Sequence, residues 1–96
     1  MILSATMSQP DRTYDLMGVL VETSRAHHAA TGGPNPEWAK WYAERAVDKV
    51  NRILGAKMTT DELADWLAAA DRRYTEERPD LSWPRAYATW LLEQPR

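Results

Sequence analysis

The chain has 96 residues, a formal net charge of −2, 44% hydrophobic and 27% charged residues, and no cysteine. That is one domain with a modest core and an ordinary, non-disordered composition; disulfides, thiolate metal sites and cysteine nucleophiles are excluded, and interleaved charges leave no basic stripe for nucleic acid. No apolar run approaches the ~20 residues of a membrane span, and the opening MILSATM lacks the basic segment and apolar run of a secretory signal, so a cytoplasmic protein without membrane or nucleic-acid partners is expected.

Residues 1–7 read as a loose tail ahead of a single helical domain at 8–96. Met7, followed by Ser8-Gln9-Pro10-Asp11, is an alternative start at a helix entry. The first predicted helix runs from about Asp11 to Ala30, with Leu16, Leu20, Thr23, His27 and Ala30 on one stripe. Gly32 and Gly33 stop it. The second opens at Asn35-Pro36-Glu37: a cap, a proline at the first helical position, and an acid at the positive helix end. Its stripe is Ala39, Tyr42, Ala43, Ala46, Val50 and Ile53, and Gly55 ends it. The third opens with the capping box Thr59-Thr60-Asp61-Glu62. It carries Leu63, Trp66, Leu67, Ala70 and Tyr74 inward and stops before Pro79. The fourth starts at Asp80 or Ser82, Ser82 suiting Pro84 better, and carries Trp83, Tyr87, Ala88, Leu91 and Leu92.

These four helices come from a sentence written twice. PNPEWAKWYAERAV, starting at Pro34, aligns with PDLSWPRAYATWLL, starting at Pro79, at an offset of 45. Trp38 then meets Trp83, Tyr42 meets Tyr87 and Ala43 meets Ala88. Upstream, an offset of 47 pairs Leu16 with Leu63, Leu20 with Leu67 and His27 with Tyr74. The two-residue difference falls between helices, where insertions belong. A repeat at this period predicts two helical hairpins, about 11–55 and 59–94. Short connections make neighbouring helices antiparallel. The expected fold is an all-α, up-down-up-down four-helix bundle with a pseudo-twofold axis.

His27-His28, the helix start Asn35-Pro36-Glu37-Trp38-Ala39-Lys40-Trp41-Tyr42-Ala43 and the later Trp83-Pro84-Arg85-Ala86-Tyr87-Ala88 resemble a group of short bacterial proteins of no established function. The resemblance covers most of the chain beyond Asp11. It implies a helical fold and carries over no functional residue. The second copy departs from the pattern, with Ala86 where the first has Trp41.

Five Trp, four Tyr and no Phe make every aromatic residue one with a polar handle. The alternating topology gathers His27, His28, Trp38, Tyr42, Tyr74, Trp83 and Tyr87 at one end of the bundle and aliphatic residues at the other. Such rings are either core bulk or the wall of a ligand pocket. His27 shares the stripe of Leu16 and Leu20 and is expected inward and hydrogen-bonded; His28 lies on the flank. Adjacent residues on a helix diverge by about 100° and do not chelate one ion together. Glu44 and Asp71 would complete a metal site only by chance of folding, so no metal or cofactor is expected. Histidine suits acid–base work, and Ser24 lies one turn before His28, but no acid is placed to complete a nucleophilic arrangement.

On the helical wheel Trp41 falls among Lys40, Glu44, Arg45, Asp48 and Arg52, a charged face, and Trp90 takes the edge position equivalent to Arg45. Exposed Trp is enriched at binding hot spots. The sequence therefore points first to a non-catalytic accessory or interaction module, with Trp41 and Trp90 facing a protein partner or a second copy. It points second to a small-ligand-binding protein or enzyme using the ring-rich end.

Overall fold

Four stretches with apolar residues at helical spacing become four helices in the computed structural model, which describes residues 12–32 and 36–94. They are α1 (Arg12–Thr31), α2 (Trp38–Leu54), α3 (Thr60–Glu77) and α4 (Trp83–Glu93), with no strand among the described residues. The expected tail, the alternative start at Met7 and the cap Asn35 lie outside the described residues.

Helix ends follow local chemistry. Gly32 ends α1 at φ +76 and donates its N–H to the His28 carbonyl at 2.8 Å. Gly55 ends α2 at φ +68, and the next N–H, of Ala56, reaches back to the Asn51 carbonyl at 3.0 Å. The capping box of α3 is complete: the Thr59 Oγ1 accepts from the Glu62 N–H at 3.1 Å, and Glu62 Oε1 accepts from the Thr59 N–H at 2.8 Å. Ser82 is the cap residue of α4, with Pro84 in the first turn. One start differs from expectation. Helix α2 begins at Trp38, not at Pro36; Pro36 and Glu37 form a turn, and Glu37 takes the cap position without a side-chain capping bond. Proline fits the first helical turn but does not by itself start a helix.

Most of the inward stripes are buried, but Tyr42 and Trp66, like several stripe ends, only partly so, and Val47, Leu54, Ala86 and Trp90 join the core from outside the expected stripes. Leu16, Leu20, Val50, Leu63, Leu67 and Leu91 are almost completely sealed, each worth about 1.5–3 kcal/mol of burial. Ala30, placed on the α1 stripe, is exposed, because the partner helix starts later than the repeat suggests. Positions equivalent in the repeat share environments: Leu16 with Leu63, Leu20 with Leu67 and Ala43 with Ala88 are all buried.

The helices form a ring in chain order. Helix α1 packs on α2 and α4, α2 packs most extensively on α3, and α3 meets α4 sparsely. The antiparallel directions show in what each end gathers. The late turns of α1 and α3 sit with the first turns of α2 and α4. At the far end, Leu54 and Ala56 after α2 meet Glu62 and Trp66 of α3 and Leu91 of α4. Backbones of α3 and α4 stay apart because rings fill the seam. Tyr87 of α4 meets Trp66 and Tyr74 of α3 edge-on, with centroids 6.1 and 6.2 Å apart.

Two side chains tie the connections. Asn51 spans the α2–α3 loop, its Nδ2 donating to the Met58 carbonyl and its Oδ1 accepting the Met58 N–H, both at 2.9 Å. The Tyr74 hydroxyl donates to the Leu81 carbonyl at 2.7 Å across the α3–α4 loop. Between them Arg78 adopts the left-handed conformation at φ 46, and its N–H closes α3 on the Tyr74 carbonyl.

Candidate functional site

The ring-rich end holds a cavity of about 370 Å³ that is widely open to solvent. Its walls are five rings, Trp38, Tyr42, Tyr74, Trp83 and Tyr87, with Ser24 and Asp71 as the remaining lining residues. Each copy of the repeat supplies equivalent positions: Trp38 with Trp83, Tyr42 with Tyr87, and, at the upstream offset, Ser24 with Asp71. Trp38 and Trp83 are each the first residue of their helix. Each therefore points its tyrosine partner, one turn on, into the same space. The pairs repeat in detail: Trp38 meets Tyr42 edge-on at 5.6 Å, and Trp83 meets Tyr87 edge-on at 5.3 Å.

The polar atoms are few and placed. The Tyr87 hydroxyl donates to Asp71 Oδ1 at 3.3 Å. Burial of the ring, then the nearby Asp71 carboxylate and the bond to it, push the Tyr87 phenol well above the ordinary tyrosine range, so it stays a neutral donor. The Tyr74 hydroxyl is committed to the Leu81 carbonyl. No Lys, Arg or His lines the cavity among the described residues.

Five of the seven pocket residues expected from sequence thus converge, and two do not. His27 is buried, but behind Tyr42: its ring lies 5.3 Å from Tyr42 and 5.0 Å, edge-on, from Trp41. Its expected hydrogen bond is absent at Nε2, which has no partner among the described residues. His28 is exposed, on the flank of α1 as expected. Neither lines the cavity.

The two surface tryptophans are placed differently from their wheel positions. Trp41 is half-buried, covering His27 on one side and lying under the Arg45 guanidinium at 4.7 Å on the other. Its ring has packing work within the single bundle. Trp90 is buried, at 9% exposure, stacked on Tyr87 and covered by Arg73 at 4.0 Å from the ring centroid. The repeat offset assigned it the environment of Arg45, which is exposed. That equivalence breaks because the wider α3–α4 seam admits a ring where α1 and α2 leave no room.

Among the described residues no three His, Asp or Glu side chains gather as metal ligands. Glu44 and Asp71 are separated, Asp71 lining the ring cavity and Glu44 a surface depression beside Glu37, Lys40 and Trp41. Ser24 and Asp71 are the lining residues that the stripe analysis passed over; their correspondence at an offset of 47 was the available signal. Comparison with protein-family models, curated proteins and solved structures gives no match.

Proposed function

We propose that the chain is a small-ligand-binding protein whose site is the cavity at the ring-rich end. The observation that supports this is the paired lining, in which both repeats direct equivalent residues into one open space. Here a volume of about 370 Å³ remains, within the usual ~300–1,000 Å³ of ligand sites. An apolar wall with a few fixed polar atoms is the usual make-up of such sites. Binding rather than catalysis is the reading, because neither histidine reaches the lining.

The interaction-module reading retains one observation, the half-exposed Trp41 beside Glu37, Lys40 and Glu44. In that reading Trp41 anchors a protein partner or a second copy, without help from the buried Trp90.

A thermal-shift screen of small molecules tests the cavity. A ligand at a hundred times its Kd adds about 2.7 kcal/mol of stability, a rise of roughly 10–20 °C for a domain of this size. Ser24→Leu narrows the cavity from α1 and should fold while losing that rise. A screen that moves parent and Ser24→Leu equally, or never moves the parent, refutes the site.

A further inference from the structure

We infer that the cavity receives the trimethylammonium group of a small organic cation, held against its aromatic rings with Asp71 as the counter-charge. This rests on the cavity being a ligand site, as proposed above, and adds the class of ligand.

The rings themselves supply the first argument. An indole or phenol ring is electron-rich over its face, and a cation within about 6 Å of the centroid is attracted to it. Of the four other rings, three have an arginine of their own, and Trp66 has none among the described residues. Arg45 lies over Trp41, Arg73 over Trp90 and Arg85 over Tyr14, at 4.7, 4.0 and 5.5 Å. The five cavity rings have no such partner among the described residues, and no basic side chain lines the space they enclose.

Charge supplies the second. Asp71 is the single formally charged group of the lining among the described residues. It forms no salt bridge among the described residues. The Tyr87 hydroxyl fixes one of its oxygens, and a carboxylate has further acceptor sites to face a cation. An anionic ligand would meet this carboxylate with no basic lining side chain to offset it among the described residues. Asp71 is exposed, so its charge stands at the solvent side of the cavity, where an entering cation would meet it.

Hydrogen-bond inventory selects among cations. A primary ammonium brings three donors that need acceptors once water is removed. Asp71 can accept beyond its bond from Tyr87, but the other side-chain acceptors of the lining are neutral hydroxyls. A quaternary ammonium has no N–H to satisfy, and it spreads its charge over methyl groups that pack on rings. Size agrees. At about 30 Å³ per water-sized group, the cavity holds roughly twelve heavy atoms, more than a trimethylammonium headgroup with a short tail requires.

The probe is choline, with 3,3-dimethylbutanol as its neutral isostere of the same shape, titrated by calorimetry against the parent and Asp71→Asn. Asparagine keeps a carbonyl oxygen for the Tyr87 hydroxyl and removes the charge, exchanging the other oxygen for an NH2 of the same size. The expected result is saturable choline binding at least tenfold tighter than the isostere, with that preference lost in Asp71→Asn. A peptide carrying trimethyllysine is the second arm. Tighter binding than choline names a protein side chain as the source, weaker binding names a free molecule, and either supports the inference. Equal or tighter binding of the isostere overturns the cation and keeps the cavity as a ligand site. Absence of choline binding, where the thermal-shift screen finds another cavity ligand, does the same. Silence in both experiments removes the ligand site as well.

Discussion

Trp90→Ala separates a core ring from a partner-facing one. Trp90 is 9% exposed, stacked on Tyr87 with centroids 6.2 Å apart and planes 22° from parallel. A Trp buries about 150–250 Å²; at about 25 cal/mol per Å² its removal costs up to roughly 4–6 kcal/mol, an upper figure because the unfolded chain already hides part of the ring. Measured Trp→Ala losses of about 3–5 kcal/mol agree. For a domain of this length, 4 kcal/mol lowers Tm by roughly 15–30 °C. The Arg73 guanidinium adds little. It lies 4.0 Å from the ring centroid, but its side chain is 48% exposed and also bound to Glu77, so its cation–π share is about 0.5–1 kcal/mol. Arg73→Ala should cost no more than that, and the two changes together should cost less than their sum by a similar amount. Urea titration followed by circular dichroism at the helix band measures all three variants without relying on tryptophan fluorescence. A Trp90→Ala protein that melts within a few degrees of the parent, yet loses self-association in sedimentation, would refute the burial argument and restore the ring as an interface anchor.

Asn51→Ala removes both bonds that tie the α2–α3 loop and should cost about 1–3 kcal/mol, read as a lower urea midpoint; Asn51→Asp, which keeps one acceptor and loses the donor, should fall between. Arg78→Gly relieves a side chain held at φ 46 and should raise stability by up to about 1 kcal/mol, against a loss if the left-handed turn is not adopted in solution. The raised Tyr87 phenol makes the fold alkali-sensitive. Below pH ~10 the residue is protonated whether folded or unfolded; above it the unfolded chain loses this proton first, so stability falls by about 1.4 kcal/mol per pH unit. Tyr87→Phe should flatten that slope, and an unchanged slope would place the titrating group elsewhere.

The helices and their antiparallel order were legible because their signals are local. Thr59 to Glu62 is a capping box, Gly55 is a left-handed stop, and the Leu16–Leu20 and Leu63–Leu67 stripes need only the helical period. The gathering of Trp38, Tyr42, Tyr74, Trp83 and Tyr87 was legible too, since it follows from topology. Whether those rings seal or enclose space depends on how closely the helices approach, which no period encodes. The same spacing decides Trp90: where α3 and α4 stand apart, an edge position becomes interior. Trp41 illustrates a different gap. A wheel assigns a ring to the charged face of its helix, but a ring as large as indole reaches sideways to His27 and still lies beneath Arg45. Asn51 was invisible, because its two bonds belong to loop backbone that sequence patterns leave undescribed.

The tie at Asn51 has a consequence for the order in which the chain assembles. The repeat makes α1–α2 and α3–α4 its units, yet the best-defined connection joins α2 to α3, across the boundary between copies. A reversed glycine stop, a complete capping box and a two-bond clamp all fall within Asn51 to Glu62, and the helices on either side make the most extensive packing of the four. Closing so short a loop costs little chain entropy, and contacts near in sequence form fastest. Folding is therefore expected to nucleate on the hairpin between the copies, with α1 and α4 added to its flanks. The repeat pattern and the order of assembly thus divide the chain differently: separating it between 55 and 59 would cut through the expected nucleus.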